Sequence, residues 1–248
     1  MAARRVAVIT GGSRGIGAAT ARELAHRGFD VAFTYRNKRA RADEVAGEVR
    51  QADGAALAIQ ADITDGQALS RFAADVAAWR AHVDLLVLNA SGGLERDLLA
   101  ADPEYPMRIN RDAQVESLDA LLPSLAAGAS VVHVTSHWAH LYGAVPQLPD
   151  YEPVARSKHA GEQALRARIG DLAGRAVRLL VVTGDLVEGT ITARLLERRA
   201  RGLHEARSDR SVTPEEFARA IADAALDPTL ASGSTVVVGG ALASVRRA

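Results

Sequence analysis

The stretch TGGSRGIG, residues 10–17, joins a short apolar run to an amphipathic stretch and decides the fold. Its glycines Gly11, Gly15 and Gly17 follow the pattern Gly-x-x-x-Gly-x-Gly. Glycines at this spacing let the backbone turn tightly and approach a pyrophosphate, which binds at the positive N-terminus of the following helix. A P-loop would need a lysine and a Ser or Thr where this chain has Ala18 and Ala19. The stretch therefore predicts a strand–turn–helix unit that binds a dinucleotide.

Short β-branched runs alternate with longer amphipathic stretches along the chain. The predicted strands are Val6–Thr10, Val31–Tyr35, Ala55–Gln60, Val83–Leu88, Ser130–Thr135, Val177–Thr183 and Thr235–Val238. The predicted helices are Ile16–Arg27, Arg39–Gln51, Gln67–Trp79, Asn110–Leu125, Val154–Leu172, Ile191–Arg201 and Pro214–Ala225. This alternation predicts an α/β fold, a Rossmann-type doubly wound parallel sheet of about seven strands with right-handed crossovers. No linker or repeat interrupts it, so we expect a single domain over residues 1–248.

The composition excludes several classes of function. The 248 residues are 48% hydrophobic with a net charge of zero, which offers no electrostatic basis for binding nucleic acid or an anionic membrane. There is no cysteine, and the neighbouring histidines include His133 inside a predicted strand, so no metal site is predicted. The apolar run near the N-terminus is too short for a signal peptide or a membrane span. We expect a cytoplasmic protein whose partner is a small-molecule substrate.

Cofactor choice is predicted from the end of the second strand. An NAD site favours an acidic residue there, which holds the ribose hydroxyls, but this chain has Thr34, Tyr35 and Arg36. Arg36, and Arg14 within the glycine loop, would pair with the 2′-phosphate of NADP. Because 28 of the 30 basic residues are arginines, each is also compatible with an ordinary solvated surface charge. Their joint placement favours NADPH/NADP+.

These motifs resemble the short-chain dehydrogenase/reductase family over essentially the whole chain. The resemblance implies that Asp62 contacts adenine, that Asn110 holds a proton-relay water and that Ser136 binds the substrate oxygen. It also implies that Lys158 holds the nicotinamide ribose, while the segment after Gly184 holds the carboxamide. The cofactor-binding residues expected on the motifs and the resemblance together are Gly11, Ser13, Arg14, Gly15, Ile16, Gly17, Arg36, Asp62, Ile63, Asn89, Ala90, Ser91, Lys158, Gly184 and Leu186.

The stretch VARSK, residues 154–158, departs from the family pattern. The family has Tyr-x-x-x-Lys, in which the tyrosine donates a proton, whereas this chain has Val154 four residues before Lys158. Valine cannot exchange a proton. The preceding segment offers other groups, each of which also has an ordinary packing or solvated interpretation: His137, His140, Tyr142, Asp150 and Tyr151. Tyr151 is the best candidate for a side-chain donor, but it reaches Lys158 only if the chain folds back near Pro153. A histidine, a water held near Asn110 and the substrate itself stay open as other sources of the proton.

The predicted function is an NADPH-dependent reductase of a ketone, or a related C=O or C=N group, in a small organic molecule. The catalytic residues are predicted to be Asn110, Ser136, Tyr151 and Lys158, with the substrate wall formed by residues 91–109, 137–153 and 185–212. Two alternatives stay open: a protein that binds NADP(H) without turnover, and a dehydratase or isomerase on the same fold. The resemblance also implies a homodimer or homotetramer.

Overall fold

A computed structural model describes residues 4–190, 193–195 and 212–239. Its strands form one parallel sheet of seven strands in the order β3-β2-β1-β4-β5-β6-β7. They are β1 (Arg5–Ile9), β2 (Phe29–Tyr35), β3 (Ala56–Gln60), β4 (Val83–Leu88), β5 (Leu125–Ser136), β6 (Arg178–Gly184) and β7 (Thr235–Val238). The predicted fold class is confirmed: each predicted strand is present, and the sheet order is that of a doubly wound fold.

Helices cover both faces of this sheet. They are α1 (Gly15–His26), α2 (Arg39–Gln51), α3 (Gly66–Trp79), α4 (Arg96–Ala101), α5 (Tyr105–Met107), α6 (Ala113–Leu121), α7 (His137–His140), α8 (Glu152–Arg166), α9 (Ile169–Ala173) and α10 (Pro214–Leu226). Alternate residues of β1 enter opposite cores, because side chains of a strand point to its two faces in turn. Ile9 packs with α1, α2 and α10, whereas Val8 packs with α3 and α6.

The predicted helix Asn110–Leu125 is wrong in its details. The chain forms a π-helical turn over Arg108–Asp112, then α6, then a 3₁₀ turn over Leu122–Ser124. Gly161 on α8 explains the first irregularity, because a Cβ atom there would overlap the carbonyl oxygen of Asn110. Because Gly161 has no side chain, α8 can pack directly against the backbone of the wider π-helical turn. Strand β5 also starts earlier than predicted, since a bulge in its pairing with β4 takes up the extra residues.

One other predicted helix differs from the structure, and another lies mostly outside the described residues. The predicted helix Val154–Leu172 is divided into α8 and α9, because a turn after Arg166 redirects the chain toward β6. The predicted helix Ile191–Arg201 lies outside the described residues except for 193–195, which are helical. Within the described ranges, no helix is both long and apolar enough to cross a membrane.

Candidate active site

A cavity of about 570 Å³ opens at the carboxyl ends of the strands. Its walls come from the segments that follow β1, β2, β3, β4, β5 and β6, where parallel α/β sheets bind ligands. The predicted site residues that line it are Gly11, Ser13, Arg14, Gly15, Ile16, Arg36, Asp62, Ile63, Asn89, Ala90, Ser91, Ser136, Tyr151, Lys158 and Leu186. The fold therefore gathers into one cavity most of the residues that the sequence singled out.

The glycine loop is held in place by its neighbouring strands. The N–H of Gly11 donates to Thr34 Oγ1 at 2.9 Å, and the N–H of Gly12 donates to the Thr34 carbonyl at 2.9 Å. Asn89 Nδ2 donates to the carbonyl of Gly11 at 3.2 Å. A Cβ atom at Gly17 would overlap that same carbonyl, so the tight turn requires glycine there. No side chain caps the N-terminus of α1, which leaves its N–H groups for an anion.

The cationic side chains that line the cavity include Arg14, from the glycine loop after β1, and Arg36, Lys38 and Arg41, from the segment after β2. Among the residues that the structure describes, none of the four forms an ion pair with a carboxylate. Burial lowers the pKa of Arg14, and repulsion from Arg36 and Arg41 lowers it further, although Glu95 opposes this. A bound phosphate would relieve this repulsion, so the geometry fits a phosphorylated ligand.

Tyr151 lies at the opposite end of the cavity, next to Ser136. The Tyr151 hydroxyl is 2.9 Å from Ser136 Oγ, and its ring meets Trp138 edge-on with centroids 5.9 Å apart. Tyr151 is the residue that immediately precedes α8, and its N–H donates to the Leu148 carbonyl at 2.8 Å. The chain thus folds back in a turn at residues 148–151, earlier than the predicted reversal at Pro153. Burial raises the pKa of Tyr151, which keeps its proton in place at neutral pH.

Lys158, on α8, lines the same cavity. Burial lowers the pKa of its ammonium group to about 8, because removal from water disfavours the charged form. A lysine in this state still carries a proton at neutral pH. It offers three hydrogen-bond donors to hydroxyl groups of a ligand.

The profile of the short chain dehydrogenase family matches residues 5–200. The chain belongs to the short chain dehydrogenase family. The lining of the cavity fits the nicotinamide cofactor that dehydrogenases of this family use. The glycine loop, the free N-terminus of α1 and the four cations fit the phosphates of such a cofactor.

Individual relatives of this short chain dehydrogenase include named reductases. A hydroxynaphthalene reductase-like protein of Metarhizium majus is 30% identical over 178 residues, which cover 71% of this chain and 65% of that protein. A 1-cyclohexenylcarbonyl-CoA reductase of Streptomyces collinus is 28% identical over 188 residues, which cover 75% of this chain and 65% of that protein. The chain therefore spans less than two thirds of the length of these two relatives.

Solved structures of other short chain dehydrogenases have the same fold. One from Serratia marcescens is 28% identical, with a TM-score of 0.76 over 94% of this chain and 96% of that one. A putative dehydrogenase of Burkholderia cenocepacia, solved with bound NADP, has a TM-score of 0.83 over 97% of this chain and 94% of that one. Its identity of 21% makes this a likeness of fold alone.

Three predicted site residues of this short chain dehydrogenase are absent from the cavity wall: Gly17, Asn110 and Gly184. The side chain of Asn110 is buried and donates to the Gly92 carbonyl and to Ser157 Oγ, both at 2.9 Å. It also accepts the N–H of Gly92 at 3.3 Å. These bonds tie the loop after β4 to α8. Asn110 therefore stabilises the loop that forms part of the cavity wall. Its side-chain hydrogen bonds are made to Gly92 and Ser157.

Val154 is not among the residues that line the main cavity. It is 3% exposed and packs in a small apolar cluster with Leu94, Trp138, Tyr151 and Leu186. It also borders a smaller void of about 40 Å³, whose wall shares Arg14, Ser91 and Glu95 with the main cavity. The side chain at position 154 therefore acts as packing, and the tyrosine that reaches the cavity stands three residues earlier.

Several cavity residues were predicted only as parts of a substrate segment and not individually. Tyr105, Glu95, Asp185 and Thr190 line the wall, and the hydroxyl of Tyr105 accepts a hydrogen bond from Arg36 at 2.7 Å. Glu95 accepts the N–H groups of Gly93 and Leu94 through one carboxylate oxygen. The sequence placed them only by segment, since Glu95 and Tyr105 lie in the predicted substrate segment 91–109 and Asp185 and Thr190 lie in 185–212. Their individual positions could not be predicted, because they depend on loop conformation.

Proposed function

We propose that this short chain dehydrogenase is an NADPH-dependent reductase of a ketone, or a related C=O or C=N group, in a small organic molecule. The proposed proton donor is Tyr151, in place of the tyrosine that the family pattern has at position 154. One observation carries the proposal: the Tyr151 hydroxyl lies 2.9 Å from Ser136 Oγ in the cavity that also contains Lys158. A phenol, a serine and a lysine are thus available in one cavity, as the family chemistry requires.

The hydrogen bonds of Ser136 suggest how the proton is delivered. Ser136 Oγ accepts the N–H of Ala139 at 3.3 Å, and its own hydrogen can be donated to the Tyr151 oxygen. The phenolic hydrogen of Tyr151 is then directed at a substrate oxygen, and Ser136 stabilises the phenolate that remains. When bound, the reduced nicotinamide supplies the hydride that the carbonyl carbon accepts. Solvent returns a proton to Tyr151 after the alcohol leaves.

Lys158 is assigned to cofactor binding in this proposal. Its ammonium group can donate hydrogen bonds to the hydroxyls of the nicotinamide ribose. A compact ammonium suits these hydroxyls better than a planar guanidinium does. The chain contains only one other lysine, Lys38, so a lysine at this position is a departure from its usual choice of arginine.

The preference for NADPH follows from the charges at the other end of the cavity. Arg14, Arg36, Lys38 and Arg41 surround the position beyond β2 where the family binds the adenosine ribose. A 2′-phosphate there would receive charge-assisted hydrogen bonds from this group. The nearby carboxylate of Glu95 is engaged by two backbone N–H groups of its own loop, which reduces its repulsion of an anion.

The substrate is proposed to be a cyclic ketone with an apolar, preferably aromatic, ring. Trp138 and Leu186 line the cavity beside Tyr151, and they belong to the same apolar cluster as Leu94 and Val145. The names of the two relatives, a hydroxynaphthalene reductase-like protein and a cyclohexenylcarbonyl-CoA reductase, both refer to carbocyclic rings. We propose that residues 91–109, 137–153 and 185–212 form the substrate wall, although most of 191–211 lies outside the described residues.

The test is turnover with a bicyclic aromatic ketone such as 1-tetralone. The purified protein is supplied with NADPH, and loss of the reduced cofactor is compared with formation of the alcohol. We expect equal amounts of both. If the protein binds NADPH but does not consume it with any of a panel of activated ketones and iminium ions, the proposal fails, and the protein is a non-catalytic cofactor-binding protein. Substrate conversion without consumption would indicate a dehydratase or isomerase.

A further inference from the structure

We propose that Tyr105 is a positioning residue for cofactor choice, because it holds the guanidinium of Arg36 where the 2′-phosphate of NADPH binds. This inference rests on the proposed function, which assigns NADPH to this cavity. Tyr105 and Arg36 both line the cavity and are 69 residues apart in the chain. The contact joins the end of β2 to the first residue of α5, which belongs to the proposed substrate wall.

Arg36 is held by one hydrogen bond at its guanidinium and by another at its backbone carbonyl. Its Nη1 donates to the Tyr105 hydroxyl at 2.7 Å, a short charge-assisted bond. Its carbonyl accepts a hydrogen bond from Gln60 Nε2 at 3.0 Å, which anchors the backbone just beyond β2. Only one of the five guanidinium N–H groups points to Tyr105, so the others are available to a phosphate. A side chain that is already ordered loses less conformational freedom when the phosphate binds.

Tyr105 is itself rigid. Its side chain is 5% exposed, and its ring packs over Gly92, where a Cβ atom would lie 3.1 Å from Cε1 and 3.2 Å from the hydroxyl oxygen. Burial raises the pKa of Tyr105, so the hydroxyl is neutral and serves as an acceptor for Arg36. In the described part of the chain its own hydrogen has no acceptor, which leaves it for a phosphate oxygen. A larger residue at Gly92 would displace this ring.

The arrangement predicts a specific consequence for binding. Loss of the Tyr105 hydroxyl leaves the Arg36 guanidinium free to move, which weakens its hydrogen bonds to the 2′-phosphate. NADH has no such phosphate, so its affinity should not depend on the contact. We expect Tyr105→Phe to raise the Kd of NADPH about tenfold and to change the Kd of NADH less than about twofold, since a hydrogen bond to a charged group is worth roughly this much.

The experiment measures Kd for NADPH and NADH by calorimetry on the wild type, Tyr105→Phe, Arg36→Ala and the double variant. Binding of 2′,5′-ADP and of 5′-AMP isolates the contribution of the phosphate from that of the nicotinamide. In the Arg36→Ala background, Tyr105→Phe should have little further effect, because the two residues act through one contact. Thr235→Val is the matched control: it also removes a hydroxyl that accepts a hydrogen bond from an arginine, Arg166 Nη2 at 2.7 Å, but both residues lie outside the cavity.

The outcomes separate this inference from the function on which it rests. If the wild type binds NADPH and NADH equally, the proposed cofactor preference fails. If the wild type prefers NADPH and Tyr105→Phe leaves that ratio unchanged, the role of Tyr105 is wrong and the preference stands. Equal weakening of both cofactors, or of 2′,5′-ADP and 5′-AMP alike, would make Tyr105 a merely structural residue.

Discussion

Replacing Tyr151 by phenylalanine tests the proposed proton donor most directly. The change removes one hydroxyl and keeps the ring, which still packs edge-on against Trp138 at 5.9 Å. Ser136 Oγ loses its 2.9 Å partner but still accepts the N–H of Ala139. A buried neutral hydrogen bond of this kind contributes about 0.5–1.5 kcal/mol, so the variant should fold and remain close to wild type in stability.

The rate should fall much further than the stability. General acid catalysis is worth about 10²–10⁴-fold, so we expect hydride transfer to slow by at least ~10²-fold, or about 2.7 kcal/mol in the barrier. The increase in the activation barrier is larger than the decrease in unfolding free energy. A residue that only packs would not raise the barrier in this way. Burial raises the pKa of Tyr151 above its ordinary value of 10.0, so the wild-type donor is protonated throughout the neutral range.

The assay is single-turnover hydride transfer, in which enzyme saturated with NADPH is mixed with 1-tetralone. Thr235→Val serves as a control, because its hydroxyl accepts a hydrogen bond from Arg166 outside the cavity. Ser136→Ala should also slow transfer, since it removes the partner of Tyr151. A Tyr151→Phe variant that keeps a third or more of the wild-type rate would refute the reasoning. Val154→Tyr should not rescue it, because the added ring must enter a packed cluster at a penalty of about 1–3 kcal/mol.

Further predictions concern the cofactor, pH, packing and assembly. NADPH should bind at least about tenfold more tightly than NADH, and Arg36→Ala should abolish most of that difference in a fluorescence titration. Because the folded pKa of Lys158 is about 8 against 10.5 unfolded, the unfolding free energy of wild type relative to Lys158→Met should rise as pH increases between these values, by at most about 1.4 kcal/mol per unit. A flat difference in chemical denaturation would contradict this. Gly161→Ala should destabilise the protein by about 1–3 kcal/mol, since the methyl group would overlap the Asn110 carbonyl, whereas Gly47→Ala in the open part of α2 should stabilise it by about 0.5–1 kcal/mol. Light scattering should give a dimer or tetramer, with the helices α6 and α8 proposed to pair across a two-fold axis, and a monomer mass at micromolar concentration would reject that assembly.

Much of the architecture could be predicted from the sequence because it depends on local patterns. Continuous apolar runs such as Val6–Thr10 predict strands covered on both faces, and their alternation with helical periods predicts the sheet. The glycine loop and the cations Arg14 and Arg36 belong to short segments whose place in the fold follows from that alternation. The helix boundaries near Asn110 failed, because they depend on how closely Gly161 brings another helix.

The sequence by itself determined the fold class, the family resemblance and the edge of the sheet where the cavity lies. It also determined that position 154 cannot supply a proton. Only the tertiary structure decided that Tyr151 meets Ser136, through a turn at residues 148–151, and that Tyr105 meets Arg36 across 69 residues. The physical reason is that such contacts form between loops of different βα units. The direction of each loop depends on its packing against the others, which no periodicity within one segment specifies.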